Sequence, residues 1–241
     1  MNRILFEKEE IDERGIASFN DERAEHVLNI LHGEVGQILK TGEVNGLCGT
    51  SEIVSIDRDK KNITVKTNHS IESLKPWIDI ILALPRPRVF KRMLPQLATL
   101  GVRHIYVVGT QKVEKAYWGA QYLKDEISRP ALIEGLMQGG TSILPKTTLH
   151  RNFKYLINSG EFDSRTQKIV AHPGGDKLIR EIDISNQDDL PVVAIGAEGG
   201  WTDEEIDFLE SKSFTRLSLG QRILRTDTAT IAILAILAVN T

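Results

Sequence analysis

Three stretches of the chain combine residue types that could hold a ligand: IVAHPGG at 169–175, VVAIGAEGG at 192–200 and LSLGQRILRTDTA at 217–229. Each runs from a candidate strand into a turn. In open parallel sheets, ligands bind beyond the carboxyl ends of the strands, so three such turns can converge on one pocket. Their glycines would let the backbone approach a ligand closely, and Ile195, Leu219, Ile223 and Leu224 would supply aliphatic walls. The glycine spacing fits neither G-x-G-x-x-G nor G-x-x-x-x-G-K-[ST], and Glu198 would repel an anion. None of the three stretches contains a lysine. Such chemistry suits a neutral or cationic ligand with a flat ring, gripped by main-chain hydrogen bonds, and does not suit a triphosphate.

Elements able to position these turns are readable around them. From Trp77 onward strands and helices alternate. WIDIILAL, RHIYVVG, TTLH, KIVAH, VVAIG and TRLSL read as strands. Helical stretches around VFKRMLPQLATLG, AYWGAQYLKDEI, PALIEGLMQ and TDEEIDFLES lie between them, with a last helix ATIAILAILAV. This order implies a mostly parallel sheet covered by helices. Pro95 must lie in an opening turn or kink its helix. Thr202 and Glu205 have capping-box spacing, and Trp201 and Ile206 the spacing of a hydrophobic staple, so one helix should begin directly after the glycines. Thr226 and Asp227 are placed to cap the last helix, which is apolar on every side. It must be covered all round, either inside a monomer or, as favoured here, by a second subunit.

Residues 1–72 read differently, as a small β-rich module. RILFE, QILKT, LCGTSEIVSI and NITVKT are short strands separated by the turn signals GEVNG and DRDKKN. Asp21 can cap a helix ERAEHVLNILHG with an apolar stripe of Ala24, Val27, Leu28 and Leu31, and HSIESLKP serves as a linker.

Composition bounds the class. The 241 residues hold 41% hydrophobic and 26% charged residues, ordinary for a soluble globular protein. The acidic start MNRILFEKEEIDERG is not a signal sequence, and IAILAILAV is too short to span a bilayer, so a cytoplasmic protein without membrane attachment is expected. Cys48 is the single cysteine, which excludes an internal disulfide or a cysteine-type zinc site. The net charge of −3 is unevenly spread: no acid occurs between Asp79 and Glu114, a window holding Arg86, Arg88, Lys91, Arg92, Arg103 and Lys112. That window is either an RNA-recruiting patch or a solvated helix face.

IGAEGGWTDEE and LGQRILRTDTA together resemble the paired signatures of the ribosomal-RNA uridine-N3 methyltransferases, the RsmE type of the SPOUT class. These usually carry IGPEGG-(F/L)-(T/S)-x-x-E and LG-x-RILR-x-ETA. HPGG at 172–175 falls where the family has a His-Pro pair, VLNILHGEVGQIL resembles its N-terminal module, and LATLGVRHI its helix-to-strand junction. The likeness spans the chain but departs at Ala197 for proline, at Asp227 for glutamate, near residue 88 and at LMQGGTS (136–142).

The resemblance implies an α/β fold in two domains. Residues 1–72 would be a PUA-like RNA-binding β-barrel, and 73–241 a SPOUT methyltransferase domain tied in a trefoil knot. It also implies an obligate homodimer, S-adenosylmethionine as cofactor, no metal, and 16S ribosomal RNA of the small subunit as partner. Carried over by position, His172, Ile195, Gly196, Gly199, Gly200, Leu219, Gly220, Ile223 and Leu224 would bind the cofactor. Arg86, Arg88, Lys91 and Arg92 would contact RNA.

Uridine N3 must lose a proton to attack a methyl group, so a base and a cation for the ring anion would help. Glu198 is the candidate base or sulfonium partner, and Arg222 and Arg225 are the candidate stabilisers. Each has a structural alternative: helix capping for Glu198, a pair with Asp227 or Glu198 for Arg225, and a turn role for His172. At the level of function the alternatives are a methyltransferase for another ribosomal uridine, a non-catalytic RNA-binding or ribosome-assembly factor, and a nucleotide-phosphate enzyme, which the missing lysine disfavours.

Overall fold

A computed structural model describes residues 2–175, 177–182 and 189–239. Contacts divide the chain into two units, Met1–Lys75 with Leu132–Leu144, and Pro76–Ala131 with Pro145–Thr241.

The first unit is a five-stranded sheet of β1 (Ile4–Phe6), β2 (Ile16–Phe19), β3 (Ile38–Glu43), β4 (Cys48–Asp57) and β5 (Asn62–Ile71), in the order β1-β3-β4-β5-β2. Only the β1–β3 pairing is parallel. Two register shifts in β4 bend the sheet, as bulges do. It curls until the rings of Phe6 and Phe19, on opposite edge strands, lie 5.5 Å apart. The strands form a half-barrel: among the described residues, β1 and β2 are edges and do not pair with each other. Helix α1 (Glu22–Asn29) starts at Asp21, whose side chain accepts the Arg23 amide, and it buries Ala24 and Val27. It ends earlier than the sequence stripe implied, and Leu31 is exposed. Arg23 fills the mouth of the curl, 5.4 Å from both ring centroids and bonded to Glu10 and Asp21.

The second unit is a seven-stranded sheet with the order β10-β12-β9-β11-β6-β7-β8 and parallel pairing throughout. The strands are β6 (Ile78–Ala83), β7 (Val102–Val108), β8 (Lys146–His150), β9 (Lys168–Ala171), β10 (Lys177–Leu178), β11 (Val192–Ile195) and β12 (Thr215–Ser218). β6 and β11 are buried along their whole length, as expected of strands covered on both faces. Asp79 is the exception in kind: its fully buried carboxylate is held by the Arg103 guanidinium (Nε–Oδ1 2.8 Å) and by Arg165 (3.0 Å). The last strand, β12, pairs with β9 on one side and β10 on the other, both earlier in the chain.

Helix α2 (Pro87–Thr99) opens with Pro87, whose missing N–H costs nothing there. It buries Phe90, Met93, Leu94, Leu97 and Ala98, one helical stripe. Pro95 sits in its interior rather than in the opening turn. The predicted helix AYWGAQYLKDEI is a correction. Residues Lys115–Gly119 and Gln121–Leu123 form 3-10 turns separated by extended Ala120, and only then does α3 (Asp125–Gly139) begin, absorbing PALIEGLMQ. Helix α4 (Phe153–Asn158) and strands β2 and β10 were not anticipated. Helix α5 (Asp203–Ser211) begins as expected: Thr202 and Glu205 exchange both bonds of the capping box, and Trp201 and Ile206 share the core.

Helix α6 (Thr226–Ala238) departs from the sequence reading at its start. Thr226 is its first residue and not its cap, since Arg225 holds the cap position without a side-chain bond. It buries Thr226, Thr230, Ile233, Leu234 and Leu237, whereas Ala235 and Val239 are exposed in the single chain.

Candidate functional site

Because the second sheet is parallel, β6, β7, β9, β11 and β12 all end at one edge, and their following turns gather there. A cavity of about 490 Å³ lies among them, within the range of small-molecule sites. All twelve residues predicted as catalytic or cofactor-binding line it: Glu198, Arg222, Arg225, His172, Ile195, Gly196, Gly199, Gly200, Leu219, Gly220, Ile223 and Leu224. Ile179, Leu217 and Ile233 extend its aliphatic wall. Ile223 lines the cavity while remaining 86% exposed, an apolar side chain standing open to solvent.

The glycine turn after β11 is built by tight local contacts. Gly200 has φ +68° and donates to the Ala197 carbonyl at 2.8 Å. A Cβ on Gly196 would stand 3.1 Å from the Gly200 backbone, so a side chain there would crowd the turn. Three bonds then tie this turn to neighbouring loops. Glu198 accepts the Arg86 amide at 3.0 Å, Glu205 accepts the Gln111 amide at 2.8 Å, and Lys112 Nζ donates to the Trp201 carbonyl at 2.9 Å. Glu205 therefore serves two helix-end functions at once, since its other oxygen accepts Thr202 N.

The turns after β9 and β12 support each other. His172 N donates to Leu217 O, Gly174 N donates to His172 Nδ1 at 3.1 Å, and Ser218 Oγ donates to the Pro173 carbonyl while accepting Gly220 N at 3.0 Å. Burial lowers the His172 pKa, Arg216 and Lys112 push it the same way, and Asp203 and Glu210 oppose them. Arg222 and Arg225 stand exposed at the rim. Among the described residues, neither carboxylate considered as a partner for Arg225 is paired with it. Asp227 binds Arg92, and Glu198 binds the Arg86 amide. Asp227 is raised by desolvation but more strongly lowered by Arg92 and the Thr228 amide, which leaves it below the usual carboxylate range.

The acid-free window separates in space. Arg86, Arg88, Lys91 and Arg92 are exposed on or just before the first turns of α2, beside the glycine turn. Arg103 is not with them. It lies near the start of β7 and is committed to buried Asp79. Lys112 corrects the picture of a lysine-free cleft, because it lines the cavity from the turn after β7. Its carbons pack on Gly199, 3.1 Å from where a Cβ would be. Sequence reasoning treated Lys112 only as part of the basic window. Its position after a strand end, like that of the three glycine stretches, was the available signal.

What the cavity can hold follows from its lining. Glu198 is the one acid among the described residues lining it, against three cations, and most of the wall is aliphatic or backbone. Trp201, one of the lining residues, has its indole Nε1 buried without a hydrogen-bond partner among the described residues. A flat heterocycle with a charged but not polyanionic tail fits this combination.

Residues 72–238 match the RNA methyltransferase domain family. Ribosomal RNA small subunit methyltransferase E of Treponema pallidum is 30% identical over 251 residues, spanning 100% of this chain and 91% of that protein. Ribosomal RNA small subunit methyltransferase E 1 of Borreliella burgdorferi is 31% identical over 218 residues, 89% of each chain. In fold, the chain matches a ribosomal RNA small subunit methyltransferase E from Neisseria gonorrhoeae, crystallised bound to S-adenosyl methionine. The TM-score is 0.75 at 20% identity, over 99% of this chain and 97% of that one.

Proposed function

The chain belongs to the RNA methyltransferase domain family, with ribosomal small-subunit methyltransferase E proteins as full-length relatives, and from that premise we propose that it methylates N3 of a uridine in 16S ribosomal RNA, using S-adenosylmethionine. The observation that carries this reading is the single cavity into which all three glycine-bearing turns and the RILR stretch converge.

When bound, S-adenosylmethionine supplies a methyl group activated by its sulfonium. The chain's own residues do the rest. Amides and carbonyls of the Gly196–Gly200 turn would hold the adenosine, and Leu219, Ile223 and Leu224 would keep water from it. Glu198 would balance the charge of the positive sulfur or take the N3 proton. Arg222 and Arg225 at the rim would steady the charge that gathers on the uracil ring once that proton leaves. Aligning two reactants can supply roughly 7–11 kcal/mol, so Glu198 need not act as a strong base.

Around this centre we assign residues 1–72 to a PUA-like RNA-binding module and residues 73–241 to a knotted methyltransferase domain. A late strand slotted between two earlier ones supports the knot, and the half-curled sheet supports the module. The exposed apolar Ala235 of α6 and Val239 just after it support a homodimer. Arg86, Arg88, Lys91 and Arg92 are the RNA contacts, reached in the cytoplasm on free 16S RNA or the small subunit.

The test is transfer of labelled methyl from S-adenosylmethionine to 16S RNA, with mass-spectrometric mapping of 3-methyluridine in a strain lacking the gene. A lost 3-methyluridine is expected. Cofactor binding without any methyl transfer would instead make this a non-catalytic assembly factor.

A further inference from the structure

We propose that the segment Lys115–Leu123, together with Arg151, is a docking surface for unpaired nucleotides of the substrate RNA, which stack on its aromatic rings beside the cavity; this rests on the methyl-transfer reading above.

The segment KAYWGAQYL turns twice in 3-10 fashion and presents three aromatic side chains within six residues, all half-buried. Two of the rings carry a cation from elsewhere in the chain, Lys91 from α2 and Arg151 from the turn after β8. The Tyr117 hydroxyl donates to Glu114 Oε1 at 2.9 Å, with Arg86 as a neighbouring cation, the Arg151 guanidinium lies 5.4 Å from the Trp118 ring centroid, and Lys91 Nζ lies 5.3 Å from that of Tyr122. Rings needed only for the core would be buried, as Trp201 and Phe153 are. These are instead left partly open, with a cation over one face of the Trp118 ring and of the Tyr122 ring. Aromatic faces for bases and cations for phosphates are the two components of single-strand recognition.

Gly109 makes the arrangement possible. A Cβ there would meet the Arg151 carbonyl at 2.3 Å and Trp118 Cζ2 at 3.2 Å, so only glycine lets β7 end against both. The surface is also wired to the cavity. Gln111 and Lys112 just ahead of it are bonded to Glu205 and Trp201, and Arg86, a neighbour of Tyr117, gives its amide to Glu198. A base resting on Tyr117 or Trp118 is therefore fixed relative to the glycine turn. Duplex RNA keeps its base faces stacked inside the helix, so this surface selects looped or open RNA.

The full chain is titrated with a short unstructured oligoribonucleotide and with the same strand annealed to its complement. Trp201 is buried and the Trp77 indole is bonded to the Leu100 carbonyl, so Trp118 is the emission that stacking should quench. The single strand is expected to quench it and the duplex to bind more weakly. Trp118→Ala and Tyr122→Ala should each weaken single-strand affinity about tenfold, with calorimetric S-adenosylmethionine affinity unchanged. Trp118→Phe should keep the affinity and lose the quenching, which covers the case in which Trp118→Ala does not fold. Equal affinity for duplex, unmoved Trp118 emission, or full single-strand affinity in Tyr122→Ala would overturn the proposal. If the wild type methylates 16S RNA while these variants bind RNA normally, this inference alone fails. If the wild type transfers no methyl to 16S RNA, the methyl-transfer reading fails with it.

Discussion

Glu198 and Arg86 are 112 positions apart in sequence, yet the carboxylate of one accepts the backbone N–H of the other at 3.0 Å. The bond joins the glycine turn after β11 to the residue that caps α2, whose first turns carry the exposed cations. Glu198 thus belongs to the cavity and to the basic helix at once.

Removing that link should separate the two roles. Glu198→Ala is expected to lower kcat/KM for RNA about three- to tenfold through the lost bond alone, since water competes at this exposed site, and further through the lost charge. Glu198→Gln keeps the acceptor and removes the charge. Steady-state kinetics should give it a near-normal RNA KM and a reduced kcat. A glutamine variant with normal kcat would reduce Glu198 to a strut.

Gly199→Val should abolish most cofactor affinity, because even a Cβ there stands 3.1 Å from Lys112 Cβ, and the branched chain adds two more carbons. Calorimetry with S-adenosylmethionine reads the loss, and circular dichroism should show an intact fold. Unchanged affinity would place the cofactor elsewhere.

Salt dependence reports how many cations face RNA. Arg103 is committed to Asp79 and Lys112 to Trp201, so four of the six cations in the acid-free window remain, or three when Arg92 keeps its pairing with Asp227. At about −0.7 per neutralised phosphate on a single strand, the log–log slope should be about −2 to −3. A slope of about −4 to −5 on such a strand would mean that Arg103 and Lys112 also reach phosphates, against the pairing described.

His104 predicts a pH effect on stability. Burial lowers its pKa from 6.5 to about 4, with Lys146 and Arg103 adding to the shift and Asp79 and Glu161 opposing it. The ring stacks on Tyr106 and shares Thr148 Oγ1 with His150. Its folded form therefore resists a proton that the unfolded chain accepts, so stability falls as pH drops from about 6.5 towards 4. Thermal melts should show this slope, and His104→Gln should flatten it. His150 and His172, also lowered by burial, leave a residual slope.

The parts of this fold that were readable depended on local signals. The Thr202–Glu205 cap, the Trp201–Ile206 staple and the strand-to-glycine junctions are short-range patterns, and the cavity is lined by the residues they pointed to. Partners distant in sequence were hidden. Nothing near Arg103 says that it bonds Asp79 across two strands, and nothing near Lys112 says that its stem packs on Gly199. Short elements were missed for a different reason: IASF in β2 and FKYLIN in α4 span too few residues for a period to show. AYWGAQYL looked helical because its composition allows a helix, whereas Ala120 and Lys124 take extended backbone.

The position of β12 between β9 and β10 carries a consequence for biosynthesis. In a chain still emerging from its ribosome, β10 has no partner strand among the described residues until residues 215–218 arrive, and the RILR rim follows them directly. The pocket therefore cannot assemble during most of translation. On the methyl-transfer reading proposed above, a half-made chain has nowhere to seat a methyl donor and stays inactive until its synthesis is nearly finished.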